Sequence, residues 1–169
     1  MEYIIARQLA ESICYKLIPF CERIKIAGSI RRKSKEVSDI DLVVIPKRTA
    51  TKDMFGNVTG WKVNEGFIAQ INSWPKIKGE PTGKLAVRQL PEGIHLEISI
   101  TNEFSWGYLL AIRTGPADYS HRLAKRWRKL GFEGHDGVLT NDGRPIALPT
   151  EEKLFALLDI PYIEPCNRV

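Results

Sequence analysis

Two aspartates one residue apart, in Ser38-Asp39-Ile40-Asp41-Leu42-Val43-Val44, are the residues whose type and spacing speak most directly of chemistry. At positions i and i+2 of a strand, Asp39 and Asp41 project from one face, while Ile40, Leu42 and Val44 occupy the other. Like charges held so close repel strongly unless a cation lies between them. Oxygen-only ligands at this spacing suit Mg²⁺, which keeps several waters and shares substrate phosphates. The plain alternative for the pair taken alone is two solvated carboxylates at a strand end.

Just upstream, Gly28-Ser29-Ile30-Arg31-Arg32 reads as a glycine turn entering a helix. Such a turn offers backbone N–H groups and a hydroxyl to a phosphate, and Arg32 adds a charge-assisted contact. A lone Gly-Ser is an ordinary turn. Joined to the spaced aspartates, it becomes half of a phosphate-and-metal site. Basic residues supply a further theme. Residues 46 to 90 hold eight Lys/Arg against three Asp/Glu, and residues 122 to 129 hold five basic residues and no acidic one. Two basic surfaces are expected, suited to a polyanion, although the second run reads equally well as a solvated helix face.

The elements that must position these groups follow from periodicity. Residues 2 to 17 carry Ile4, Ile5, Leu9, Ile13 and Leu17 at helical spacing, and Pro19 ends the segment. A short strand over 23 to 27 leads into the Gly-Ser turn, and the IDLVVI run over 40 to 45 is a buried strand stopped by Pro46. Residues 47 to 62 read as a loop or irregular hairpin, and 65 to 74 as a helix. Runs at 84 to 90 and 94 to 100 flank Pro91-Glu92-Gly93 as an antiparallel hairpin. In its second strand Ile94, Leu96, Ile98 and Ile100 face one way and His95, Glu97 and Ser99 the other. Helices over 104 to 112 and 117 to 130 are separated by Thr114-Gly115-Pro116. A second hairpin pairs 138 to 140 with 144 to 148 around Asn141-Asp142-Gly143, and Thr150 caps a helix over 151 to 158.

A chain of 169 residues, 43% of them apolar, suffices for one domain or two small lobes. The net charge is +5 with a pI near 9.2, compatible with a polyanionic partner. Cys14, Cys21 and Cys166 form no Cys-x-x-Cys pair and suggest neither a disulfide framework nor a zinc site. Without a long apolar run or a signal-peptide core, a cytosolic protein with no membrane partner is expected.

Taken together, the Gly-Ser turn, the Asp-x-Asp strand and a later strand carboxylate resemble the polymerase β-type nucleotidyltransferase superfamily. Residues 113 to 116 (RTGP), the basic helix, Gly131-Phe132, Leu148-Pro149-Thr150-Glu151 and Ile160-Pro161-Tyr162-Ile163-Glu164-Pro165 resemble the thumb of family X DNA polymerases. The resemblance runs in order along nearly the whole chain, weakly over residues 46 to 75. It implies an α/β (α+β) fold, with a nucleotidyltransferase palm of mixed or antiparallel sheet over 1–102 and a thumb over 103–169. The implied activity is a small DNA-directed DNA polymerase, adding dNMP from a dNTP to a primer 3′-OH by a two-metal mechanism that suits short-gap repair. Mg²⁺, or Mn²⁺ in its place, would be held by Asp39, Asp41 and Glu97, and Glu97 would serve the ion that activates the 3′-OH. Gly28, Ser29, Arg32, Ser38, Ile112, Arg113, Gly115 and Ser120 would contact the nucleotide. Lys84, His95, Arg122, Lys125, Arg126, Arg128 and Lys129, with Lys76 and Lys78, would contact DNA, and a monomer is expected. Trp127 is expected to anchor the core.

This chain departs from the family pattern in places. Glu97 replaces the usual Asp and is one methylene longer. Ile112 and Arg113 replace an aromatic pair beside the incoming sugar. Pro116 stands where Ser is common, Ala124 replaces a template-contacting Arg, and His95 falls near the primer phosphate, where pairing with Glu97 is the alternative. The chain begins almost at the palm, so no deoxyribose-phosphate lyase activity is expected. Two other functions share parts of the motif set: a template-independent nucleotidyltransferase, with DNA or another molecule as acceptor, and a catalytically weakened DNA-end-binding module.

Overall fold

A computed structural model describes residues 1–168. The chain opens with α1 (Tyr3–Leu17), β1 (Cys21–Ile26), the single-turn α2 (Gly28–Arg31) and β2 (Asp39–Pro46). A hairpin of β3 (Arg48–Lys52) and β4 (Val58–Val63) follows, then α3 (Glu65–Asn72), β5 (Lys76–Lys78), β6 (Leu85–Gln89) and β7 (His95–Ile100). The C-terminal part holds α4 (Trp106–Thr114), α5 (Ala117–Lys129), β8 (Phe132–His135), β9 (Val138–Asn141), β10 (Arg144–Pro145) and α6 (Glu151–Leu157). The class is mixed α+β. No helix among the described residues is long and apolar enough to cross a membrane.

The main sheet runs β1-β2-β7-β6-β5, and its one parallel pair, β2 with β7, makes it mixed. That pair sets the geometry of everything below, because its register places Asp39 beside His95 and Asp41 beside Glu97. Strand alternation then divides β2 between two layers. Ile40, Leu42 and Val44 join Leu96 and Ile98 against Ala6, Ala10, Ile13 and Leu17 of α1 and Phe67 and Ile71 of α3. Val43 and Ile45, on the opposite face, lie under Trp106 and Leu110 of α4. Asp39 and Asp41 share that second face by alternation.

Local chemistry explains the ends of the helices. Asn64 Oδ1 accepts from Gly66 N (2.9 Å) and Phe67 N (3.3 Å) to start α3, and Thr150 Oγ1 accepts from Lys153 N (3.3 Å) to start α6. A further apolar cluster gathers Tyr108 and Ala111 of α4, Tyr119, Leu123 and Trp127 of α5, Leu139, and Leu154 and Phe155 of α6. Helix α4 therefore gives one side to the main sheet and the other to this second cluster. Trp127 is buried in it, its ring 5.4 Å from that of Tyr108.

Residues 47 to 62 take the hairpin reading, as β3–β4 with an irregularity at Thr51/Lys52, and pair with no strand of the main sheet among the described residues. Elsewhere the structure differs from the sequence expectation. Lys76–Lys78 joins that sheet as its edge strand. Its neighbour Arg88 is fully buried, donating to the carbonyls of Ile71, Lys78, Gly79 and Val87 and to Asn72 Oδ1 at 3.0–3.3 Å. The expected second hairpin is a three-stranded sheet, β10-β9-β8, with Phe132–His135 as the added strand and β10 reduced to two residues. Helix α4 begins after a 3₁₀ turn at Glu103–Ser105 and continues to Thr114.

Candidate active site

A cleft of about 710 Å³ brings Gly28, Ser29, Arg32, Ser38, Asp39 and Asp41 together with Ile112, Arg113, Gly115 and Ser120. Asp41 is at its electrostatic centre. Burial pushes its carboxyl up to about 7, helped by the charges of Asp39 and Glu97 and opposed by Arg113 and Arg32. Burial is thus the main reason that Asp41 resists ionisation, with two neighbouring carboxylates adding to it.

Gly28 is held against Asp41 by geometry that only glycine satisfies. Its φ is +55°, and a Cβ there would come 1.8 Å from Asp41 Oδ2. The adjoining Ala27 N–H donates to Asp41 O at 2.8 Å, which ties the turn to the strand. Next in the chain, the Ser29 hydroxyl is buried and has no hydrogen-bond partner among the described residues. A buried orphan hydroxyl beside a cleft is chemically available to a ligand oxygen. Arg32 is braced by donating to Thr114 O (2.6 Å) at the end of α4, and burial lowers its pKa while Asp41 and Asp39 raise it.

Glu97 is half-buried beside Asp41 in register, but its Oε2 lies 3.5 Å from Arg113 Nη1. The donor set of oxygens and the raised Asp41 fit a hard divalent cation. Among the described residues, however, no three His, Cys, Asp or Glu side chains converge in metal-holding geometry. The Glu97 carboxylate has the Arg113 guanidinium as its ion-pair partner. His95 is exposed, with no bond from its side chain to Glu97.

Across the cleft, Gly115 lets the chain pass close to α5, since a Cβ there would lie 2.7 Å from Tyr119 Cδ1. Ser120 lines the cleft, but its hydroxyl donates to Ile112 O at 2.8 Å and is committed to the backbone. Tyr108, His121 and Trp127 also line it. In the sequence Tyr108 and His121 carry no site signal, and for Trp127 a core anchor is favoured over base stacking.

Beneath the cleft floor lies a buried ionic network that sequence reasoning also missed. Arg31 donates to both oxygens of Glu151 (2.5 and 3.0 Å) and to Thr114 Oγ1 (2.6 Å). Arg168 donates to Glu151 Oε1 (2.8 Å) and to Ile163 O (2.9 Å), and lies over the rings of Phe155, Tyr162 and Tyr119. Burial alone would raise the Glu151 carboxyl, yet the bonds from Arg31 and Arg168 hold it below the ordinary carboxylate range. Arg31 stands in the same turn as Ser29 and Arg32, so this network fixes the turn to α4 and α6. The Gly-Ser-Ile-Arg-Arg run was the signal, but which arginine faces inward depends on the helical turn of α2.

The basic candidates separate by location. Arg122, Lys125 and Arg128 line one shallow groove along α5, and Lys129 is exposed beside its end. Arg126 does not join them. It donates to Leu158 O (2.9 Å) and Asp159 O (3.2 Å), capping the C-terminal end of α6, because one residue along a helix turns the side chain by about 100°. Lys84 is 3.0 Å from Asp136 in the β8–β9 turn, Lys76 pairs with Glu80, and Lys78 is exposed on the sheet edge.

Residues 109–169 match the family model described as DNA polymerase beta thumb. A polymerase β thumb domain is therefore present, beginning inside α4 and including α5, the three-stranded sheet and α6. It supports a polymerase β-like relationship for the chain. A search of curated proteins gave no match.

Proposed function

We propose that this protein is a family X-type DNA polymerase that extends a primer 3′-OH with dNMP and suits the filling of short gaps. The observation that carries the reading is the meeting of Asp39, Asp41 and the Gly28-Ser29-Arg32 turn in one cleft whose far wall belongs to the polymerase β thumb. On this reading residues 1–102 act as the palm and 103–169 as the thumb, and the protein works as a monomer.

Asp39 and Asp41 would hold Mg²⁺, which when bound supplies charge neutralisation for a triphosphate and acidifies the primer hydroxyl. The Ser29 hydroxyl, without a partner among the described residues, would donate to a phosphate oxygen. Arg32, fixed by Thr114 O, adds a charge-assisted bond that stabilises the departing pyrophosphate. Ile112 and Arg113 form the wall beside the sugar in place of an aromatic pair. Glu97 would join the aspartates in holding Mg²⁺, in competition with the Arg113 guanidinium 3.5 Å from its Oε2.

A labelled primer on gapped, blunt and single-stranded DNA tests the reading, with Mg²⁺ or Mn²⁺. Template-matched extension that disappears in Asp39→Ala/Asp41→Ala is the expected result. Extension of single strands alone would make the protein a terminal transferase. The Arg113–Glu97 contact favours one second reading, a catalytically weakened DNA-end-binding module, which predicts salt-sensitive binding with no extension of any substrate.

A further inference from the structure

The β3–β4 hairpin is unused by the site described above, and its surface is unusual. Met54 and Phe55 at its tip are 89% and 83% exposed, and Trp61 is 63% exposed. Its tip is nonetheless built to hold shape. Asp53 Oδ1 accepts from Phe55 N and Asn57 N, both at 2.9 Å, and Asp53 Oδ2 accepts from Asn57 Nδ2 at 3.0 Å. This commits the only carboxylate of residues 47 to 62 to the turn, leaving a hairpin whose remaining charges, Lys47, Arg48, Lys52 and Lys62, are all positive.

Register decides which of these groups act together. Arg48 pairs with Val63 and Ala50 with Trp61, so Arg48 and Trp61 are diagonal neighbours on one face of the hairpin. Arg48 and Val63 both line a second cleft of about 510 Å³ that also contains Lys84 and Arg113. Arg113 lines the carboxylate cleft as well. Arg113 therefore borders both clefts, and the second carries Lys84 and Arg48 on to the hairpin face that, by register, also bears Trp61. Lys84 has Asp136 and Arg113 has Glu97 as partners, whereas the side chains of Arg48 and Lys52 make no ion pair or hydrogen bond among the described residues.

We propose that the Arg48–Trp61 face of the β3–β4 hairpin holds an unpaired stretch of the DNA strand whose duplex part occupies the carboxylate cleft, with a base stacked on Trp61 and its phosphate at Arg48. The proposal rests on the DNA reading above. Charge complementarity selects the occupant: an unpaired cation next to a solvent-facing aromatic ring suits a polyanion with free π-faces, and stacking of this kind tolerates any sequence. A paired duplex keeps its base faces covered, so recognition falls on single-stranded segments.

Fluorescence anisotropy of labelled DNA separates the outcomes, using the full chain without Mg²⁺ on a blunt duplex and on the same duplex with a single-stranded overhang. Trp61→Ala is expected to weaken overhang binding roughly ten-fold and to leave the blunt duplex unchanged, while Trp61→Phe retains most of the affinity. Arg48→Ala is expected to weaken overhang binding and flatten its salt dependence. Equal affinity of wild type and Trp61→Ala for the overhang, or an equal loss on both substrates, overturns the proposal. So does a concentration-dependent dimer in sedimentation that Trp61→Ala abolishes, which would assign the face to a second copy of this chain. Primer extension on the same substrates keeps the two readings apart. Trp61-dependent overhang binding without extension refutes the polymerase and leaves this face standing, whereas extension with Trp61-independent binding does the reverse.

Discussion

Arg31 and Glu151, 120 residues apart in sequence, form a buried two-bond ion pair with oxygens 2.5 and 3.0 Å from the guanidinium. Because Arg168 shares the same carboxylate, removing it strands two buried cations. Glu151→Ala is expected to destabilise the fold by about 3–5 kcal/mol, measured by urea unfolding.

The same carboxylate sets an acid limit. Its folded pKa lies below the ordinary value of 4.5, so its contribution is complete above about that pH and is lost as pH falls through the folded value. Thermal melts between pH 6 and pH 3 are expected to show a stability drop confined to the region below about 4.5, and Glu151→Gln is expected to remove that component.

Gly28→Ala introduces both a strained φ and a collision with Asp41 Oδ2. The backbone penalty alone is about 1–2 kcal/mol, and relief of the clash moves a carboxylate out of place. A modest fall in melting temperature is expected to accompany a near-complete loss of primer extension. Full activity in the variant would show that the Gly28–Asp41 contact does not position the site.

Arg113 pairs with Glu97 at 3.5 Å, and on the proposed reading it would compete with Mg²⁺ for that carboxylate. Arg113→Gln is expected to lower the Mg²⁺ concentration at which the protein's melting temperature rises, and Asp39→Ala/Asp41→Ala is expected to abolish that rise. Titrating Mg²⁺ during thermal melts reads both without an activity assay.

Arg122, Lys125 and Arg128 share a groove, whereas Arg126 caps α6. Each alanine change in the groove is expected to reduce the slope of log affinity against log salt by about 1. Arg126→Ala is expected to leave that slope unchanged and to lower stability instead, which anisotropy and melting measure separately.

Much of this was legible in sequence because it depends on short-range rules. The alternation of IDLVVI separates Asp39 and Asp41 from Ile40, Leu42 and Val44 whatever the strand pairs with. The polar face of His95, Glu97 and Ser99 follows in the same way. What escaped depends on partners distant in the chain. Arg88 looks like any surface cation until Ile71, Gly79 and Asn72 close around it. Arg126 lies within a basic run, and only the position of Leu158 and Asp159 reveals that it serves α6. Ser120 carries a hydroxyl suited to a ligand, and only the approach of Ile112 O reveals that its proton is already donated, leaving its oxygen as an acceptor.

The carboxylates lie on opposite sides of the one parallel seam in the main sheet. On either side of it the chain closes antiparallel pairs between near neighbours in sequence, β1 with β2 and β6 with β7. Asp41 and Glu97 come side by side only where the two halves join. The company of the third carboxylate is thus a property of the seam and not of either strand, and a chain ending before residue 95 carries both aspartates without it.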